Sequence, residues 1–247
     1  MAGMELLSDQ GLRVDGRRPN ELRRIKCSLS VFSQASGSAY LEQGNTKVLA
    51  AVYGPHEIRG SKSKTLHDQV LINCQYSMAT FSTAERKQRP RGDRKSQEMS
   101  NHLAQTFQAV IRTELYPRSQ IDIFVEVLQS DGGNYSACVN AATLALIDAG
   151  IPLKDAVASC TASLVNSVPF VDVSHFEQTS GSPELVVSVL PHSGEIVYMS
   201  LTQRFHVDHL SKVMDTAIKG CKDVAAVLDQ TVRAHVIKLG ATINSSS

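Results

Sequence analysis

Apolar and polar positions along the chain mark out an ordered series of elements. From Cys27, CSLSVFS alternates, TKVLAAVYG is a continuous apolar run suited to a strand buried on both faces, and VLINCQYS alternates again. Pro55, Gly60 and the Ser/Lys stretch 61–64 punctuate these strands. Beyond a basic segment, Met99, Leu103, Phe107, Val110 and Ile111 recur at three- and four-residue spacing. That spacing predicts a helix from about Lys95 to Leu115, stopped by Pro117. QIDIFVEVLQ reads as a strand with Ile121, Ile123, Val125 and Val127 on one face. NYSACVNAATLALIDAG is small and apolar almost all round, the mark of a buried helix, and Gly150 and Pro152 close it.

The second half has the same texture. AVASCTASLV, ELVVSVL and EIVYMSL are strand-like, with a hairpin turn at Ser193-Gly194 between the last two. Leu210, Met214, Ala217, Cys221, Val224 and Leu228 form a stripe on a helix predicted from about Val207 to Leu239. The order is β-rich, two helices, β-rich, one long helix, which predicts an α+β chain in a single compact domain. Residues 1–26 read as an exposed N-terminal arm, 27–240 as the domain and 241–247 as a flexible tail.

Composition narrows the picture. The 247 residues are 42% hydrophobic, enough for one large core or two small ones. A net charge of +1 supplies no global field toward nucleic acid or membrane, so any polyanion binding must come from local clustering. The five cysteines are scattered and lack CxxC spacing, which argues against a disulfide framework or a zinc site and for a reducing compartment. No apolar run approaches the roughly 20 residues of a membrane helix. A soluble intracellular protein with no membrane partner is expected.

Three segments could carry chemistry. In Arg86–Lys95, six of ten residues are basic. Clustered Lys and Arg bind phosphate backbones through counterion release, and the helix starting at the end of the run adds free N–H groups. A solvated loop or a nuclear localisation patch fits the same residues. Arg59–Lys64 is a smaller basic loop tip, equally suited to solubility. In Ser130–Ala137, glycines between a strand and a helix let backbone amides approach an oxyanion, or simply cap the helix. In His175–Glu184, Glu177 and Glu184 are the carboxylates that could hold a hard cation. Without a partner to fix their geometry, this segment reads as a surface loop.

Together, in order and at compatible spacing over nearly the whole chain, these segments resemble the ribonuclease PH family. LRVDGRRPNELR is similar to the family's opening RxDGRxxxExR. GSAYLEQGNTKVLAAVYGP, GDRKSQEM, LQSDGGNYSACVNAATLALIDAGIP and VDVSHFEQ follow in register. VYGPHEIRG, NCQYSMATFSTAERK and LYPRSQIDIFVEVLQSDGG look most like the family's eukaryotic RNA exosome core subunits. The resemblance implies the ribonuclease PH fold (ribosomal protein S5 domain 2-like), with mixed sheets packed against helices. It implies a hetero-hexameric ring of such subunits around a channel for single-stranded RNA. RNA-binding cap subunits and a separate hydrolytic nuclease subunit are the further partners implied, in the nucleus (including the nucleolus) and cytoplasm.

Active members of the family cleave RNA from its 3′ end with inorganic phosphate, using acidic residues that hold a divalent cation near the scissile bond. Their glycine turn matches Gly132 and Gly133. The Thr-Arg that follows, whose arginine holds the attacking phosphate, corresponds to Asn134 and Tyr135. Tyrosine brings no positive charge. Two aspartates correspond to Gln178, which is neutral, and Glu184, which is one methylene longer. Losing one pre-organised charged group commonly costs about 10²–10³ in rate. The RNA-contacting basic pair is retained as Arg94 and Lys95, and Lys62 and Lys64 are expected to help. The expectation is a non-catalytic ring subunit, with no catalytic residue, metal or cofactor of its own. It would scaffold the core and guide RNA 3′ ends through the channel for RNA processing, rRNA processing included, and degradation. The alternative is an active phosphate-dependent 3′→5′ exoribonuclease whose missing residues come from a neighbouring subunit.

Overall fold

Period-two alternation builds the first of two sheets in the computed structural model, which describes residues 6–8, 10–58, 69–86, 93–204 and 206–246. Its strands are β1 (Ile25–Leu29), β2 (Gly37–Gln43), β3 (Thr46–Glu57), β4 (Leu71–Met78) and β5 (Ser119–Gln129), in the order β1-β2-β3-β5-β4. Among the described residues only β4 and β5 pair in parallel, and the crossover this requires contains α1 (Arg94–Val110). Ile121, Ile123, Val125 and Val127 all face the core, as the alternation predicts. The run 46–54 is more one-sided than its apolar character implies. Val48, Ala50 and Val52 are fully buried, but Lys47 and Leu49 are half-buried and Tyr53 is exposed. The described residues cover the outer face of this sheet only in part there.

The second sheet is antiparallel throughout: β6 (Ala158–Val165), β7 (Val168–Val171), β8 (Glu184–Val189) and β9 (Ile196–Leu201), ordered β7-β6-β8-β9. Sequence periodicity misses β7, which is too short to alternate visibly and follows a tight turn with Asn166 and Ser167 at φ 47° and 64°. It also misses α3 (His175–Thr179), a single turn held by a capping box between Ser174 and Glu177.

Between the sheets lies α2 (Asn134–Asp148), buried on nearly every side. Ser136 Oγ sits 2.8 Å from Thr161 Oγ1, and the Asn140 amide exchanges hydrogen bonds of 3.0 and 2.8 Å with the Ser159 backbone. These buried polar groups of the seam therefore have partners. On the other face of the second sheet, α4 (Leu210–Ser246) buries Val213, Ala217, Cys221, Val224 and Leu228. Leu210 and Met214, placed on the stripe by spacing, are only half-buried. The helix continues through Ser246, with no break in the backbone at 241. By contrast α1 stops short of Leu115. Ile111 turns extended (ψ 140°) and bridges Leu153, and the Arg112 N–H donates to Pro152 O at 3.2 Å. Tertiary pairing with the segment after α2 overrides helical periodicity. One continuous hydrophobic core runs from Ala39 in β2 to Leu228 in α4. Its buried thiols are inert in character: burial pushes Cys74 and Cys221 up to about 12.

The N-terminal arm is not exposed as its charge predicts. Arg13 is 3% and Arg23 8% accessible. Arg13 donates to both carboxylate oxygens of Glu177 at 2.7 and 2.5 Å and to Val171 O at 2.5 Å, and its guanidinium lies 5.1 Å from the centre of the Phe170 ring. Arg23 donates from Nη2 to Asp172 Oδ1 at 2.8 Å, from Nε to Oδ2 at 3.1 Å, and from Nη1 to Asp131 O at 2.7 Å. Burial acts to raise the pKa of both carboxyls. The charges and hydrogen bonds of Arg23 outweigh it at Asp172, and those of Arg13 and Ser174 at Glu177, so both are lowered.

Breaking a buried pair leaves an uncompensated charge, so Arg23→Met is expected to cost about 3–5 kcal/mol in urea unfolding. A loss below about 1 kcal/mol would show that the pair does not hold the arm. Because the folded pKa values are lowered, this stability is fully present above the unfolded carboxylate range, about 4, and is lost as pH falls through the folded values. Melting temperature against pH should drop steeply on that acid limb in the native chain and less steeply in Arg23→Met.

Candidate functional site

One face of α1 organises the site. Lys95, His102 and Thr106 fall on the same side of the helix, each whole turns from the next. Along that face His102 Nδ1 lies 2.8 Å from the hydroxyl of Tyr198 in β9. Thr106 Oγ1 donates to His102 O at 2.9 Å, which leaves it to accept from Tyr135 Oη, also at 2.9 Å. The Tyr135 and Tyr198 rings pack at 4.8 Å between centroids with a 37° tilt. Tyr135, at the start of α2, is 6% accessible, and burial raises its phenol pKa well above the usual range despite the Thr106 bond. It is a neutral group turned into the core.

Near the first turn of α1, Glu184 opens β8 and accepts from Gln178 Nε2 at 2.6 Å. Burial raises the Glu184 carboxyl pKa, with the Gln178 hydrogen bond and the charge of Lys95 pulling the other way. The structure thus brings Gln178 and Glu184 into contact, within the electrostatic reach of Lys95. Arg94 and Lys95 are both exposed, and the first turn of α1 carries no acidic side chain. Phosphate could reach this helix end. Lys62, Lys64 and residues 87–92 of the basic run lie outside the described residues.

The glycine turn has a packing role that its sequence does not reveal. At φ +85°, Gly132 lies so close to the chain entering α3 that a Cβ would meet Val173 O at 2.5 Å and His175 N at 2.7 Å. Gly133, at φ +61°, is the residue before α2, where a Cβ would meet Arg23 Nη2 at 3.3 Å. Asn134 turns back to Ser130, donating to its Oγ at 2.8 Å. Glu177 cannot serve a cation as its sequence position permits. Both of its oxygens are taken by Arg13 and one also accepts from Ser174, so only Glu184 of that pair faces the site. His102, Thr106 and Tyr198 escaped sequence reasoning. The available signal was their helical and strand spacing from Lys95 and Glu184.

Two family descriptions match this chain: "3′ exoribonuclease family, domain 1" over residues 21–152 and "domain 2" over residues 155–220. The chain belongs to this ribonuclease PH family. The boundary falls between α2 and β6, so each sheet lies in one part while the hydrophobic core spans both. Among curated relatives, the exosome complex component RRP41 of Bos taurus is 60% identical over 96% of each chain. The putative exosome complex component RRP41 of Caenorhabditis elegans is 48% identical over 94% of this chain and 96% of its own. Rrp41 of Methanopyrus kandleri is 41% identical over 89% and 91%. Two solved structures share the fold: rice (Oryza sativa) Rrp46, with a TM-score of 0.78 at 22% identity over 89% of this chain and 99% of its own, and the Archaeoglobus fulgidus exosome with RNA bound to the active site, with 0.77 at 20% over 88% and 92%.

If Tyr135 is a structural part of this cluster, Tyr135→Phe should cost about 1 kcal/mol in urea unfolding, the worth of one buried hydrogen bond. Tyr135→Arg should cost more, because it buries a cation among aromatic rings. An arginine variant as stable as the native chain would show that the pocket still accommodates charge.

Proposed function

We propose that this chain is a non-catalytic ring subunit of an RNA exosome, one that scaffolds the ring and guides single-stranded RNA through its channel. Tyr135 carries this reading. It stands where active relatives, by the family resemblance, hold phosphate with an arginine, and its hydroxyl is already satisfied by Thr106. A neutral, buried side chain offers an attacking phosphate no charge. Gln178 is likewise neutral, and its amide is bound to Glu184. The RRP41 relatives of cattle, nematode and archaeon, named as exosome components and covering nearly the whole chain, support membership of such a complex. In this reading, cutting is done by a separate hydrolytic subunit, cap subunits deliver RNA, and rRNA is among the substrates. The complex works in the nucleus, nucleolus and cytoplasm.

The deciding experiment is phosphate-dependent release of nucleoside diphosphates by the ring assembled from this chain and inactive partners. No release is expected, and Glu184→Ala should leave RNA degradation by the complete complex unchanged. Release that needs phosphate and disappears in Glu184→Ala would make the chain an active phosphorolytic exoribonuclease.

Arg94 and Lys95 are assigned to RNA phosphates. Reversing both to Glu should weaken RNA binding by the assembled ring for all sequences alike. It should also flatten the log–log salt dependence by about 0.7 for each phosphate no longer neutralised. An unchanged salt slope would make the basic run a solvated surface.

A further inference from the structure

Of the four sheet edges, three are guarded. β7 is four residues long, contains Pro169, and is held by the arm through Val171 N–H to Pro19 O at 2.9 Å. β4 donates its Tyr76 N–H to Ser100 Oγ of α1 at 2.9 Å. β1 is short and carries Lys26, paired with Glu42 at 3.8 Å. Short strands, prolines and lysines are the usual means of blocking an edge.

β9, one residue longer than β1, has neither proline nor lysine. Its sequence, IVYMSL, contains no charge and no proline, and among the described residues no strand pairs with its outer side. The Thr202 N–H donates to Glu184 O at 3.0 Å, so alternation turns the N–H and C=O of Met199 and Leu201 away from β8. Their side chains are exposed, Met199 at 50% and Leu201 at 44%. Exposed Glu195 precedes the strand and exposed Arg204 follows it.

We propose that β9 is completed by an extended apolar strand of a neighbouring exosome subunit, which carries a basic residue toward Glu195 and an acidic one toward Arg204. A row of backbone donors and acceptors that has no strand partner among the described residues fits an extended chain and no helix, and the apolar flank asks for apolar side chains on alternate positions. The opposite charges at the two ends set the direction of the incoming strand. The proposal rests on the ring reading and adds which edge makes the seam.

The test uses the full chain co-expressed with ribonuclease PH-like ring subunits. Met199→Lys with Leu201→Lys should cut recovery of the neighbouring subunit by about tenfold or more. Val236→Lys with Ile237→Lys, at comparably exposed positions on α4, should leave recovery unchanged. In the native assembly, amide exchange at Met199 and Leu201 should slow by about tenfold or more relative to the free chain. This measurement needs no variant and so survives a folding failure. Unprotected β9 amides in an intact ring, or full recovery with the β9 variant, would overturn the edge assignment alone. A native chain that recovers no ring subunit would overturn the ring reading along with it. Self-association through β9 would replace the proposed partner with a second copy and equally overturn the proposal.

Discussion

Arg23 and Asp172 meet out of water, and three distant parts of the chain are fixed where they meet. The guanidinium comes from the segment before β1, the carboxylate follows β7, and the same guanidinium donates to the carbonyls of Asp131 and Gly132 at the mouth of α2. Gln43 adds a hydrogen bond to Asp172 at 2.8 Å. Two ions buried without each other would each cost several kcal/mol, so the arrangement is all-or-none. Asp172 is even held at φ 55°, a conformation that costs an aspartate energy and that the pair overrides. The second pair, Arg13 with Glu177, repeats the logic and anchors α3. Both sheets, the glycine turn and the segment leading to Gln178 are located by this knot.

The functional face inherits its geometry from that anchoring. Gly132 packs against the chain entering α3, so the position of Gln178 is tied to the start of α2 and hence to Tyr135. From the other side, α1 reaches Tyr198 through His102 and Tyr135 through Thr106, and the charge of Lys95 acts on Glu184. Two strands of the second sheet and the start of α2 therefore converge on one helix. Arg94 and Lys95 are exposed at one end of that convergence, while Thr106 and Tyr135 are buried and carry no charge. Charge that can grip a polyanion remains on the surface, separate from the interior where a small anion would have to be desolvated.

Much of this architecture is legible in the sequence because it follows one-dimensional periods. β5 and its inner residues, the all-round burial of α2, and β6, β8 and β9 are written in spacing of two or in unbroken apolar composition. What escapes depends on meetings between segments far apart. The arm reads as exposed because arginines normally are, and nothing near Arg13 or Arg23 announces Glu177 or Asp172. Periodicity carries α1 too far because Leu153, which captures Ile111, lies beyond α2. At the site, Gly132, Gly133, Asn134, Tyr135, Gln178 and Glu184 are found by resemblance, yet the inward turn of Tyr135 and its partners His102, Thr106 and Tyr198 are not. A motif fixes positions along the chain; side-chain direction is decided by packing.

Under the proposed non-catalytic reading, packing accounts for why the segment persists here. The opening arginines and the glycine turn are required by the fold, since Arg13 and Arg23 neutralise buried carboxylates and Gly132 admits backbone at a distance no Cβ tolerates. They would be retained whether or not the site reacts. Residue 135 obeys a different constraint. An arginine turned to the same place would be a buried cation beside aromatic rings, stable only with an anion at hand, so such a site is incomplete until phosphate arrives. Tyrosine meets its single hydrogen-bonding need at Thr106 and fills the space with its ring against Tyr198. The pocket is then complete without a ligand. In the proposed reading, the fold thereby loses its need for a bound anion without any change to the exposed Arg94 and Lys95.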